Sequence, residues 1–143
     1  DRARLDARAL AASTFAALIS EGRAEMRDVE DADDPGTFLE IRPRDGSAAP
    51  VELAIDGVVL SVAVGRDLRV VEIALADPAW RETLQAVLEA VAAGKYTERV
   101  ERRRLGRVLV MRFDSDRGPI EVKHVNLAEP LPDDVPIQSY TPY

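Results

Sequence analysis

The stretch DPAWRETLQAVLEAVAAG, residues 77–94, decides the class of fold, because it carries all the signals of one amphipathic helix. Asp77 is a favourable N-cap residue, Pro78 suits the first helical turn, and Gly94 suits a left-handed C-cap. Charged and amide side chains take one helical face, and apolar side chains recur on the other at Trp80, Leu84, Val87, Leu88 and Val91. The spacing predicts a helix over 78–93 that packs on a core.

A second helix and a series of strands surround this stretch. Apolar residues at helical spacing predict a first helix over 3–21. Alternation predicts strands on both sides of the 78–93 helix, and Asp56-Gly57 between two such runs is typical of a type I′ hairpin. The order of these elements predicts an α+β fold, with an antiparallel sheet of about six to eight strands and both helices packed on one face.

The last part of the chain differs from the rest. Regular alternation ends at Asn126, and four prolines follow within residues 126–143. Because proline lacks an N–H group, this stretch predicts an extended tail behind a single domain over residues 1–125. The tail holds two of the three tyrosines. This aromatic content favours docking, either on the tail's own domain or on a neighbouring chain.

The composition is typical of a soluble globular protein, since 46% of the residues are hydrophobic and 31% are charged. The longest run without a charge, residues 9–20, is too short to cross a bilayer, so we expect no membrane partner. The use of 17 Arg against 2 Lys indicates a high-GC bacterial genome. The absence of cysteine excludes disulfides and thiolate ligands and is compatible with a cytoplasmic location.

The net charge of −7 is unevenly distributed. Residues 1–94 carry a balance of −8 and residues 95–123 carry +4, which argues against a nucleic-acid partner, because such binding needs a broad positive surface. Guanidinium groups clustered at one predicted hairpin would bind a phosphate, a carboxylate cluster or an acidic partner: Arg99, Arg102, Arg103, Arg104 and Arg107. The structural alternative is an exposed sheet edge that uses charge against aggregation.

His124 is the only histidine, and it shares its predicted strand face with apolar neighbours and with Asn126. The pair predicts ligand binding or a general base, and the structural alternative is a histidine that is hydrogen-bonded locally. A zinc site needs three or four nitrogen or sulfur ligands, so we expect no metal. The chain contains no phosphate-binding, dinucleotide-binding or hydrolase motif, so we expect no cofactor.

These residues favour a non-catalytic bacterial protein-binding domain. The order of elements is similar to that of secretion-chaperone-like and immunity-protein-like modules, an analogy that does not fix function. We expect a protein partner or self-association as a homodimer, through the five arginines and the tail residues Ile137, Tyr140 and Tyr143. The alternative is a small-molecule-binding protein or unusual hydrolase with a pocket near His124 and Asn126.

Overall fold

A computed structural model describes residues 2–30, 36–104, 106–124 and 138–143. Within these ranges the chain forms two helices and nine strands. In chain order they are α1 (Arg2–Ser20), β1 (Ala24–Asp28), β2 (Thr37–Pro43), β3 (Val51–Asp56), β4 (Val59–Val64), β5 (Arg69–Ala74), α2 (Trp80–Ala92), β6 (Tyr96–Arg103), β7 (Gly106–Ser115), β8 (Gly118–His124) and β9 (Gln138–Ser139).

Both helices end in the same way. Gly22 after α1 and Gly94 after α2 take left-handed φ values of +72° and +71°, as Gly94 was predicted to do. Two backbone hydrogen bonds then close each helix end in a Schellman motif. At the end of α1, the N–H groups of Gly22 and Arg23 donate to the carbonyls of Ile19 and Leu18. At the end of α2, the N–H groups of Gly94 and Lys95 donate to the carbonyls of Val91 and Ala90. Each helix thereby turns directly into a strand.

The start of α2 differs from the predicted one. The helix begins at Trp80, and Ala79 occupies the N-cap position without a side-chain cap. The Asp77 carboxylate accepts a hydrogen bond from the Ala79 backbone N–H at 2.9 Å. The aspartate therefore stabilises the turn that leads into the helix rather than the helix itself.

The first sheet is an antiparallel meander in the order β1-β2-β3-β4-β5. Burial alternates strictly along β3 and β4, which leaves one face of the sheet on the core. The predicted hairpin joins these strands, but Asp56 pairs with Val59, so that Gly57 and Val58 form the loop. Of the two, Gly57 alone has a positive φ, +58°, which is the pattern of a type II′ turn rather than the predicted type I′.

The second sheet has the order β8-β7-β6-β9 and is also antiparallel. The prediction of one sheet with both helices on one face was therefore wrong: the described residues form nine strands in two sheets. The strands divide into two sheets at α2, because this helix follows β5 in the chain and packs against α1, β5 and β7. Alternation fixes which face of a strand is buried, but it does not fix which strands share a ladder.

Both helices and both sheets contribute to one apolar core. The five residues predicted to form the buried face of α2 are all buried, and Tyr140 and Tyr143 belong to the same core. None of the described helices has the length and apolar character needed to cross a bilayer. The predicted domain boundary at residue 125 lies outside the described residues.

Truncation of the α2 core face provides a test of this packing. Leu84 and Leu88 are fully buried, so Leu84→Ala or Leu88→Ala should lower the free energy of unfolding by about 2–5 kcal/mol. The exposed Glu82→Ala on the same helix should change it by about 0.5 kcal/mol or less. Denaturant unfolding measures both effects. Equal effects at the three positions would contradict burial of this face.

Candidate functional site

Residues 138–143, here termed the clasp, lie in a groove between the two sheets and the helix ends. The clasp begins as β9, where Ser139 pairs with Thr97 and Gln138 pairs with Glu98 of β6. Its two tyrosines are buried, with 5% of Tyr140 and 3% of Tyr143 exposed. The two tyrosines therefore have the burial of core residues, whereas Ser139, Thr141 and Pro142 are exposed.

Tyr140 fixes the first half of the clasp. Its ring stacks on Tyr96 at a centroid distance of 5.5 Å, and Tyr96 stacks in turn on Phe113 at 4.7 Å. The Tyr140 hydroxyl accepts a hydrogen bond from the Arg66 backbone N–H at 3.1 Å, so it also contacts the turn between β4 and β5. A row of three rings thereby joins the clasp to β6 and β7, and the Tyr140 hydroxyl reaches a turn of the first sheet.

Tyr143 fixes the second half. Its backbone N–H donates to the Ala92 carbonyl at 3.1 Å, which satisfies the last carbonyl of α2. Its ring lies 5.0 Å from that of Phe15 in α1, and its hydroxyl donates to the Ala49 carbonyl. Burial raises the pKa of Tyr143, which keeps this hydroxyl a donor. The Arg23 guanidinium donates to the main-chain oxygen of Tyr143.

Two glycines leave the space that the clasp fills. A Cβ atom at Gly65 would lie 2.6 Å from the Tyr140 hydroxyl and 2.8 Å from Glu98 Oε1. A Cβ atom at Gly94 would lie 2.5 Å from the backbone nitrogen of Pro142. Any larger residue at either position would collide with the clasp, so the wall of the groove matches its occupant closely.

Glu98 is a buried carboxyl beneath the clasp. Only 4% of the residue is exposed, and its Oε1 accepts a hydrogen bond from the Tyr96 hydroxyl at 2.6 Å. Burial raises the pKa of Glu98, although the Tyr96 hydrogen bond and the positive charge of Arg69 oppose the shift. The nearby Asp67 carboxylate adds to the increase. The base of the groove therefore contains a carboxyl whose pKa lies above that of an exposed glutamate.

A cavity of about 300 Å³ lies beside the clasp. Thr141 borders this region, where its backbone N–H donates to the Ser47 carbonyl at 3.0 Å. Hydrogen bonds from Ser47 and Thr141 lower the pKa of Asp45. The cavity lining combines two guanidinium groups with a carboxylate and the end of the clasp: Arg23, Arg44, Asp45, Pro142 and Tyr143.

The structure places the predicted tail residues in different ways. Tyr140 and Tyr143 are each buried against their own chain, whereas Ile137 and Asn126 lie outside the described residues. The sequence interpretation missed Glu98 and Gly65. A signal for Glu98 was present, because in an alternating strand it has the same parity as the buried Tyr96. No sequence pattern marked Gly65 as the wall of a groove.

The arginine hairpin, β6 and β7 with the five predicted arginines, carries a network of ion pairs. Arg99 donates to Glu101 at 2.9 Å and to Glu121 at 3.4 Å, and Arg103 donates to Glu101 at 3.0 Å. Arg112 donates to Glu121 at 3.1 Å. The hydrogen bonds from Arg99 and Arg103 lower the pKa of Glu101. On this face of the sheet the cations are therefore matched by carboxylates.

Arg102, Arg104 and Arg107 do not lie on the sheet face that carries this ion-pair network. Arg102 pairs with Arg107 across β6 and β7, and their parity places them on the opposite face from Arg99. Arg104 lies in the turn beyond β6 and is exposed, as are Arg102 and Arg103. The sequence indicated one basic patch, and the structure divides it between two sheet faces and a turn.

His124 ends β8 opposite Leu109 of β7. Its Nε2 is buried and has no hydrogen-bond partner among the described residues. No group of three or more His, Asp or Glu residues in the described ranges is placed to hold a metal ion. Within the described ranges the histidine therefore presents a polar atom without a partner, while its predicted neighbour Asn126 lies outside those ranges.

Comparisons of the chain with protein-family models, with characterised proteins and with solved structures found no match. The molecule is defined by its own fold and contacts. Its described residues form an α+β fold of two antiparallel sheets and two helices, with Tyr140 and Tyr143 packed into the core.

The two C-cap glycines provide a matched test of the clasp contact. Gly22 and Gly94 have the same φ, but a Cβ at Gly22 would meet only Arg44 Nη1 at 3.8 Å. Gly94→Ala should therefore lower the free energy of unfolding by about 1–3 kcal/mol more than Gly22→Ala, because it adds a collision with Pro142 to the same backbone strain. Denaturant unfolding of both variants measures the difference. Equal losses would mean that the clasp does not touch Gly94.

Glu98 predicts a specific pH dependence of stability. With its pKa raised in the folded state, the carboxyl binds its proton there more tightly than in the unfolded chain. Its stabilising contribution is thus complete below the ordinary pKa, about 4.5, and is lost as the pH rises through the folded value. The melting temperature of Glu98→Gln relative to the wild type should therefore increase above about pH 4.5.

The control for this series is Glu72→Gln, which removes a carboxylate at an exposed position of β5. Thermal melts of the three proteins between pH 4 and pH 8 provide the comparison. A difference between Glu98→Gln and the wild type that stays constant over this range would contradict the raised pKa.

Proposed function

We propose that the chain is a non-catalytic protein-binding domain. The tip of the arginine hairpin, Arg102 to Arg104, contacts an acidic segment of its partner. The observation that carries the proposal is the exposure of three consecutive arginines, Arg102 to Arg104, on a protein with a net charge of −7. A local positive surface on an acidic body steers an acidic partner towards one place on the molecule.

The division of the hairpin supports this assignment. On the face that contains Arg99, the cations are matched by Glu101 and Glu121, and Arg103 at the tip shares Glu101 with Arg99 while its side chain stays exposed. Rigid scaffolds that present charged side chains at a turn are common binding devices, because little conformational freedom is lost at the backbone on binding. The bacterial origin and the cytoplasmic location remain predictions from the composition.

A glutamate-rich peptide labelled with a fluorophore is the probe for this proposal. Replacing the three tip arginines by Gln should slow its association about tenfold at low ionic strength, and the effect should shrink as salt is added. Folding should be nearly unaffected, because exposed charges contribute little to stability. Stopped-flow fluorescence measures the association rate.

The matched control removes the same amount of charge from three exposed arginines elsewhere, Arg2, Arg42 and Arg117. If the control slows association as much as the tip variant does, the effect comes from the net charge and the hairpin is not the binding site. If neither variant changes the rate, the proposal is wrong.

A second candidate function, small-molecule binding beside His124, is favoured by its buried Nε2 atom, which has no partner in the part of the chain that the structure describes. Buried polar atoms are normally satisfied, so a ligand that hydrogen-bonds this nitrogen would remove a free-energy cost. NMR of the imidazole nitrogens during a small-molecule screen tests this candidate. A hit should shift the His124 signals in the wild type and lose affinity in His124→Phe, and binding unaffected by that variant would exclude the site.

A further inference from the structure

The groove under the clasp has the features of a peptide-binding site. The clasp adds a strand to β6, places two aromatic side chains in separate pockets and makes further main-chain hydrogen bonds at Thr141 and Tyr143. Strand addition combined with side-chain pockets is a recurrent mode of peptide recognition, in which the backbone gives affinity and the pockets give specificity. Here the peptide is part of the same chain.

We propose that this groove also binds the clasp of a second copy of the chain, giving a dimer in which clasps are exchanged. The connection between β8 and β9 makes the exchange geometrically accessible. Thirteen residues, 125–137, separate His124 from Gln138. The fourteen peptide steps between these two residues can span at most about 50 Å. A domain of this length has a radius of gyration of about 15 Å, so the connection is long enough to reach a neighbouring molecule.

The energetics favour exchange at high concentration. An exchanged clasp makes the same contacts as a clasp bound within its own chain, so the two forms differ mainly in connection geometry and association entropy. A segment tethered to its own binding groove has an effective concentration in the millimolar range. The closed monomer should therefore predominate at micromolar concentration, and the exchanged dimer should accumulate as the protein concentration approaches the effective concentration.

The groove selects this occupant rather than any extended peptide. Gly65 and Gly94 lie so close to the clasp that a Cβ atom at either position would collide with it. The walls of the groove therefore fit the hydroxyl of Tyr140 and the ring of Pro142. Arg23 holds the main-chain oxygen of Tyr143. A second copy of the chain carries the same Tyr-Thr-Pro-Tyr sequence, residues 140–143, and therefore supplies a matching occupant. The inference does not depend on the arginine hairpin, and its test leaves the hairpin intact.

Because the chain has no cysteine, single cysteines report the exchange directly. Ser47 and Thr141 are both exposed and are neighbours across the groove, since the Thr141 N–H donates to the Ser47 carbonyl at 3.0 Å. Full-length Ser47→Cys and Thr141→Cys chains of different mass are mixed and oxidised at rising concentration. We expect the disulfide between the two different chains to form several-fold more than when Ser13→Cys, an exposed site on α1, replaces Ser47→Cys.

Equal yields from the two pairs would overturn the proposal. A chain with both Ser47→Cys and Thr141→Cys, oxidised at low concentration, tests the groove in isolation and should form a disulfide within one molecule. If this disulfide forms but the mixed chains do not crosslink above the Ser13 control, the clasp binds only its own chain and exchange is excluded. If it does not form, the groove contact itself is wrong and the proposal fails with it.

Discussion

The packing of the clasp tyrosines against the core is the interaction on which the rest of the structure depends. The two sheets share no backbone ladder within the described residues, so side-chain packing and isolated hydrogen bonds hold them together. Tyr140 joins the ring stack of the second sheet and hydrogen-bonds the turn between β4 and β5 of the first. Tyr143 reaches both helices and Ala49 in the loop before β3. Six residues therefore connect all the layers of the fold.

This arrangement also explains an otherwise costly feature, the buried Glu98. A carboxyl in the core reduces stability when it ionises, and an apolar side chain would avoid that cost. Glu98 accepts the Tyr96 hydrogen bond and pairs in register with Gln138 of the clasp. A polar group at this position gives the ring stack a defined orientation. The Tyr96 ring, on which Tyr140 of the clasp stacks, is therefore held by a directional contact as well as by apolar burial.

The sequence predicts the individual elements well, because their signals are local. The apolar stripe of α2 and the C-cap at Gly94 depend on residues within a few turns of each other, and both are found as expected. The assembly of strands into two sheets was missed, because ladder partners are fixed by packing around α2 rather than by neighbouring residues. The same limit applies to the site, since the arginines that are close in sequence lie on opposite faces of the hairpin.

The position of the clasp shows most clearly why the site could not be predicted from the sequence. The sequence indicated that Tyr140 and Tyr143 dock, and it left open whether they dock on their own chain or on another. The deciding groove is built from residues far apart in sequence, including Phe15, Ala49 and Ala92. Such long-range complementarity has no periodic signature, so it becomes visible only once the chain is folded.

Native-state hydrogen exchange, followed by NMR, tests most directly whether the clasp is part of the folded core. The Thr141 and Tyr143 amides donate to the Ser47 and Ala92 carbonyls, so both should be protected to nearly the same degree as amides in the middle of α2. Exchange of these two amides at the rate of an unstructured peptide, while the α2 amides remain protected, would contradict the account.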